Sequence, residues 1–163
     1  MIGRTLALAG GLAGATALAQ FPEFSQQYLQ RLAGQVDALE AIEAQFDASA
    51  AQAGLDRAGA LAALGSAGFA GQHASDLRAT FARAEGLRAD LTLLRLATVY
   101  ERLVLPHRMA DTALIRATWA DFRPALPVTA EGALCAGIGY ALGWLGVRGL
   151  LGLLRAPFRR RPA

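Results

Sequence analysis

Lysine is absent from this chain: all sixteen basic side chains are arginine. With abundant Ala, Gly and Leu, that is the signature of GC-rich coding, which points to a bacterial source and says nothing about activity. Cysteine is nearly absent. The lone Cys135 cannot close an internal disulfide or build a four-ligand zinc site. Its apolar neighbours suit a small buried or lipid-facing side chain. The two histidines, His73 and His107, have no His, Cys or carboxylate at metal-ligand spacing, so no metal site is expected. Charge is also scarce. Charged residues make up 18% of the chain, below the usual quarter, and hydrophobic ones 54%, above the usual half or less. Mean hydropathy is +0.31, a value that suits a partly lipid-embedded chain.

Catalytic signatures are missing as well. There is no GxxxxGK(S/T), no GxSxG and no HExxH. Gly10-Gly11-Leu12-Ala13-Gly14 follows no strand and lies within an apolar run, which excludes a phosphate-binding loop. The acids Asp37, Glu40, Glu43 and Asp47 recur at helical spacing. No Glu-x-x-His motif accompanies them, so they read as a solvated helix face rather than a di-metal site. No enzyme activity and no cofactor are expected.

What is present is a pair of apolar runs at the two ends. Thr5 to Phe21 carries no charge and reaches about 25 Å at 1.5 Å per residue, the short end of what crosses a bilayer. A signal peptide is the competing reading, with Arg4 as a weak basic n-region and Ala17-Leu18-Ala19 as a small-x-small site. An uncleaved anchor is the expectation, because the n-region holds a single positive side chain. The second run follows Thr129, a good N-cap, and Glu131, well placed in a first turn. Ending this span near Val147 avoids placing Arg148 mid-bilayer, which costs about 2.5–3.5 kcal/mol even on lenient scales. Arg148 then snorkels to the surface, and Arg155, Arg159, Arg160 and Arg161 sit in a basic interfacial tail over 149–163, against anionic lipid rather than nucleic acid.

Arg4 and this tail flank the spans on their outer ends. The positive-inside rule therefore puts both termini in the cytoplasm and residues 22–129 in the periplasm. The expected divisions are a first transmembrane helix over 1–21, a periplasmic part over 22–129, a second transmembrane helix over 130–148, and the tail. The periplasmic part holds ten arginines against twelve acids, so the basic balance comes from the ends.

Small residues stripe both spans. The first has Ala7, Gly11, Ala15 and Ala19, with Gly10 and Gly14 alongside; the second has Gly132, Ala136, Gly139, Gly143 and Gly146. Such stripes let another helix approach closely, and alternating intervals of four and three make a left-handed seam of coiled-coil type. The seam serves either to pack the two spans together or to receive another subunit.

Between the spans, Phe24, Tyr28, Leu32, Val36, Leu39, Ile42 and Phe46 recur every three or four residues, an amphipathic helix that Gly54 stops. A short helix over 56–64 and a turn at 65–68 lead to a second long helix. That helix starts at Ser75 or Asp76, or nearer Phe69, and ends before Pro106. Its inward face is Leu77, Phe81, Ala84, Leu87, Leu91, Leu94, Thr98 and Leu103. Asp111 caps a further short helix whose Ile115, Trp119 and Phe122 share one side. Trp119 belongs either at the periplasmic headgroups as an interfacial anchor or in the helical core. Pro22, Pro124 and Pro127 shape the junctions with the spans. The polar face with Gln26, Gln27, Gln30 and Gln35 is either a partner surface or an ordinary helix exterior. The predicted fold is all-α: two terminal transmembrane helices joined by a water-exposed antiparallel helical hairpin, plus a short interfacial helix.

The segments PEFSQQYLQRLAG, from Pro22, and ATWADFRPALPVTAEG, from Ala117, resemble a family of proteobacterial inner-membrane proteins defined by a domain of unknown function. The resemblance extends over nearly the whole chain and implies two spans in these places. It brings no catalytic residues.

The function expected on these grounds is that of a non-enzymatic accessory or scaffold protein of the inner membrane, bound to lipid and to itself or to other membrane subunits. A periplasmic sensor-like input module signalling through a partner is the alternative, since so short a tail follows the second span.

Overall fold

The computed structural model describes residues 2–124 and 128–155; Pro127, Arg159, Arg160, Arg161 and the side chain of Arg155 lie outside the described residues. No strand occurs among the described residues. The helices are α1 (Ile2–Ala19), α2 (Phe21–Gln52), α3 (Arg57–Ala63), α4 (Gly68–Leu96), α5 (Val99–Leu103), α6 (Thr112–Asp121) and α7 (Ala130–Arg155), with a 3-10 turn at Pro106–Met109. Two of these helical stretches, one beginning at Ile2 and one at Ala130, are long and apolar enough to cross a membrane. In each, the apolar window is mostly uncovered, 17% and 11% buried, whereas the core helix of a soluble protein would be mostly buried.

The chain divides into two compact units: Met1–Gln27, Val99–Val104 and Trp119–Ala163 form the first, and Tyr28–Thr98 with Leu105–Thr118 the second. In the first, α1 packs on α7. Only Gln20 separates α1 from α2. Pro22 stands in the first turn of α2, where its missing N–H is tolerated. The buried Ser25 hydroxyl donates to the Pro22 carbonyl at 2.9 Å.

The second unit is held by leucine-rich faces. Tyr28, Leu29, Leu32, Val36 and Leu39 of α2 are buried, as are Phe81, Ala84, Leu87, Leu91 and Leu94 of α4. Ile42, expected inward, is 43% exposed. The next residue takes the sheltered position instead. Glu43, with its side chain only 12% exposed, lies 3.2 Å from Arg88 and 3.7 Å from Arg57. Arg88 also holds Glu40 at 2.7 Å, and Arg57 holds Asp47 through two hydrogen bonds. Three of the acids expected on a solvated face are thus paired; Asp37 alone of the four is simply exposed. The Arg57 hydrogen bond holds the Asp47 carboxyl below the usual carboxylate range. The guanidinium of Arg57 lies 4.8 Å from the centre of the Phe81 ring, which in turn meets Phe46 edge-on at 5.4 Å. Residue numbers rise along α4 as they fall along α2 through these contacts.

Helix ends follow local chemistry. Gly54, at φ +71°, closes α2: its own N–H reaches Ala51 O, and the Leu55 N–H reaches Ala50 O. This is the Schellman pairing, and a left-handed residue is needed for it. Asp56 caps α3 through the Gly59 N–H at 2.7 Å, and Asp111 caps α6 through the Leu114 N–H at 2.9 Å. Neither Ser75 nor Asp76 caps α4, which starts at Gly68. That helix also ends earlier than Pro106 requires, because Ala97 is extended at ψ 137°.

Tyr28 is 1% exposed and its hydroxyl faces Asp111. Burial, then the charges of Asp111 and Asp90, push its pKa up to about 12, against a smaller opposing hydrogen bond from the Asp111 backbone. Asp111 and Asp90 are themselves held by Arg83 at 2.9 Å and Arg108 at 3.1 Å. A raised phenol pKa leaves folding unaffected below the ordinary value near 10. Stability is lost as pH rises from there through about 12, because the unfolded chain ionises first; the loss is roughly 2–3 kcal/mol. Spectrophotometric titration at alkaline pH should therefore show a phenol titrating near 12 in the folded protein that Tyr28→Phe removes. A difference titrating near 10 would contradict the burial argument.

Candidate helix-pairing site

A glycine exposes its backbone, and the α1–α7 contact is built from that exposure. A Cβ on Gly14 would collide with the carbonyl oxygen of Gly139, and a Cβ on Gly139 would collide with that of Gly14 and lie 2.8 Å from the Leu18 Cβ. Gly10 and Gly143 repeat the arrangement: a Cβ on Gly143 would meet the Gly10 carbonyl, and one on Gly10 would stand 3.0 Å from the Gly143 carbonyl and against the Val147 side chain. Gly10 and Gly14 are four apart, as are Gly139 and Gly143, so each helix presents one glycine-xxx-glycine ridge to the other. Because Gly10 meets Gly143 and Gly14 meets Gly139, the helices run antiparallel, and the Ile2 end of α1 lies beside the Arg155 end of α7. Gly11 has the ring of Tyr140 against it, where a Cβ would come within 2.6 Å.

The remaining residues of the two stripes divide. Ala7, Gly11, Ala19 and Gly132 are buried, and Ala15 and Ala136 half-buried. Gly146 is exposed with nothing near its missing Cβ; Val147, one residue on, takes the place on the contact face. A strict alternation of four and three thus holds only through Gly143. Tyr140 and Val147 are the pairing residues that the glycine pattern did not reveal. Their signal was positional: they flank Gly139 and Gly143 on the same helical face. Gly132 also serves the helix start, its N–H donating to the Thr129 hydroxyl at 3.1 Å. Outside the contact stand Leu6, Leu8 and Leu12 of α1 and Leu134, Leu142, Leu145, Leu150 and Leu153 of α7, all exposed.

The predicted anchors fall in two places. The guanidinium of Arg148 lies over the Trp144 ring at 4.5 Å, one helical turn back. Trp119 is 69% exposed, which removes it from the helical core, and it stacks on Phe122 with ring centres 5.9 Å apart. Phe24 completes the trio, 5.9 Å from Trp119 and 5.7 Å from Phe122. Pro124 follows in exposed, non-helical chain. No group of three or more His, Cys, Asp or Glu residues able to hold a metal occurs among the described residues.

A bulky side chain at the ridge should separate the helices. Gly14→Val and Gly139→Val should each lower the unfolding stability in detergent by about 1–3 kcal/mol, the usual cost of overpacking. Gly146→Ala should be neutral or stabilising by up to about 1 kcal/mol, the helix-propensity gain. Equal losses at all three positions, followed by circular dichroism, would contradict this geometry.

No curated protein and no solved structure matches the chain. The family described as a protein of unknown function (DUF2937) matches residues 2–160, and the chain belongs to that family.

Proposed function

We propose that this chain is a non-enzymatic accessory or scaffold protein of the bacterial inner membrane, which associates with itself or with a larger membrane complex. The observation that carries the membrane placement is the glycine-to-backbone pairing of α1 and α7, with leucines turned outward along both helices. Lipid tails are as apolar as leucine, so helices in a bilayer gain from close backbone packing rather than from hiding apolar side chains. A helix pair that buries glycine and exposes leucine suits that solvent and not water. Gly137, Gly146, Gly149 and Gly152 have nothing against them, which leaves room for a further helix on the outward faces of α7.

In this reading α1 and the first part of α7 are the two spans. Arg4 at one end and the arginine-rich tail at the other lie in the cytoplasm, in keeping with the positive-inside rule. Antiparallel pairing is the arrangement that puts both ends on one side. Residues 22–129 then form a periplasmic antiparallel hairpin of α2 and α4, joined by the contacts of Arg88 with Glu40 and Glu43.

Affinity purification of the tagged full chain in mild detergent, with a native mass, tests the association. A stoichiometric membrane partner or a discrete homo-oligomer is expected; monomer carrying only lipid would sink the proposal. Topology is tested separately with alkaline phosphatase fusions. The enzyme should be active when inserted at the Gly65–Gly68 turn and inactive after the C-terminus. The reverse pattern would refute the assigned orientation.

A further inference from the structure

We infer that the Phe24–Trp119–Phe122 trio is a second, peripheral membrane contact, seating the end of α6 in the headgroup layer of the same bilayer that α1 and α7 cross. This rests on the two-span reading. Three large apolar side chains near the spans stand open, an exposure that water penalises. Trp119 is 69% exposed although two phenyl rings pack against it, and Val128 is 88% exposed close before the start of α7. Val104 of α5 is 75% exposed in the same compact unit. These residues share a unit with both spans.

The chain itself fixes the depth. If the first span ends at Phe21, Phe24 stands three residues further, about 5 Å along a helix. The headgroup layer on each side of the hydrocarbon is roughly 5–7 Å thick. The Trp119 ring lies 5.9 Å from the Phe24 ring, which keeps it within reach of that layer. An amphipathic indole favours such a boundary, since its ring prefers apolar contact and its N–H prefers a polar partner. The exposed Arg123, four residues beyond Trp119, adds a cation suited to lipid phosphate. An open indole backed by two phenyl rings, with a cation close by, is the arrangement that such a boundary suits. Stacking with Phe122, at an interplanar angle of 14°, holds the indole against its neighbour and makes the contact a fixed feature rather than a loose side chain.

The two tryptophans allow a clean test. Single-tryptophan proteins, Trp144→Phe and Trp119→Phe, are reconstituted in phosphatidylcholine–phosphatidylglycerol vesicles. The quenchers are a headgroup nitroxide lipid, a chain-brominated lipid and aqueous iodide. The expected result is blue-shifted Trp119 emission lost to the headgroup nitroxide, with Trp144 quenched by brominated chains. If Trp144 is quenched by lipid while Trp119 responds only to iodide, Trp119 stands in water; the inference is overturned and the spans survive. If Trp119 responds to no quencher, protein covers it, a second copy or another subunit, and the inference is equally overturned. If neither tryptophan responds to lipid, the two-span reading itself fails, and this inference with it.

Discussion

Everything in the first unit depends on two helix backbones meeting without side chains between them. At Gly14–Gly139 and Gly10–Gly143, carbonyl oxygens occupy the space where Cβ atoms would stand. Such proximity brings dispersion contacts along the full length of both ridges, each tiny and together substantial. It also settles the sense of the pair. An antiparallel match of two glycine ridges puts the Ile2 end of α1 and the Arg155 end of α7 at one end of the pair. Tyr140 and Val147 then fill the sides of the contact, so the pairing is fixed in register and not only in proximity.

The second unit is built from the opposite materials. Its helices bury Leu, Val, Phe and Tyr, and a row of ion pairs closes the edge of that core. Glu43 is the pivot, because one half-sheltered carboxylate is shared by Arg57 and Arg88. Individually, such exposed pairs contribute little. Shared through one carboxylate, and with Arg57 laid over Phe81, they fix how α2, α3 and α4 meet. At the other end of this unit, Arg83 and Arg108 hold Asp111 and Asp90, whose charges add to burial in raising the Tyr28 phenol. One unit therefore relies on the absence of side chains and the other on long side chains reaching across.

The long helices and most of their ends are legible in the chain's own residues. Gly54 stops α2 because only a residue free to adopt positive φ completes the Schellman pairing, and Asp111 and Thr129 cap because their side-chain oxygens reach backbone N–H groups within one turn. These are local effects, so local sequence shows them. The end of α4 at Leu96 was not legible, since neither glycine nor proline stands there. Ile42 faces outward although it stands in the apolar repeat. The apolar repeat drifts around a long helix, and the ion pairs to Glu43 decide which residue faces inward.

The sequence by itself determined where the long helices lie, that two of them are apolar enough to cross a membrane, and that glycine clears a face on each. Those properties follow from composition and from a period of three or four residues. Only the tertiary structure decided that Gly139 and Gly143, but not Gly146, meet the first helix, that the solvated-looking acids are tied to arginines, and that Trp119 lies open beside Phe24 and Phe122. A helix shows all its faces equally in sequence. Which one is used depends on what the partner helix presents at the same height.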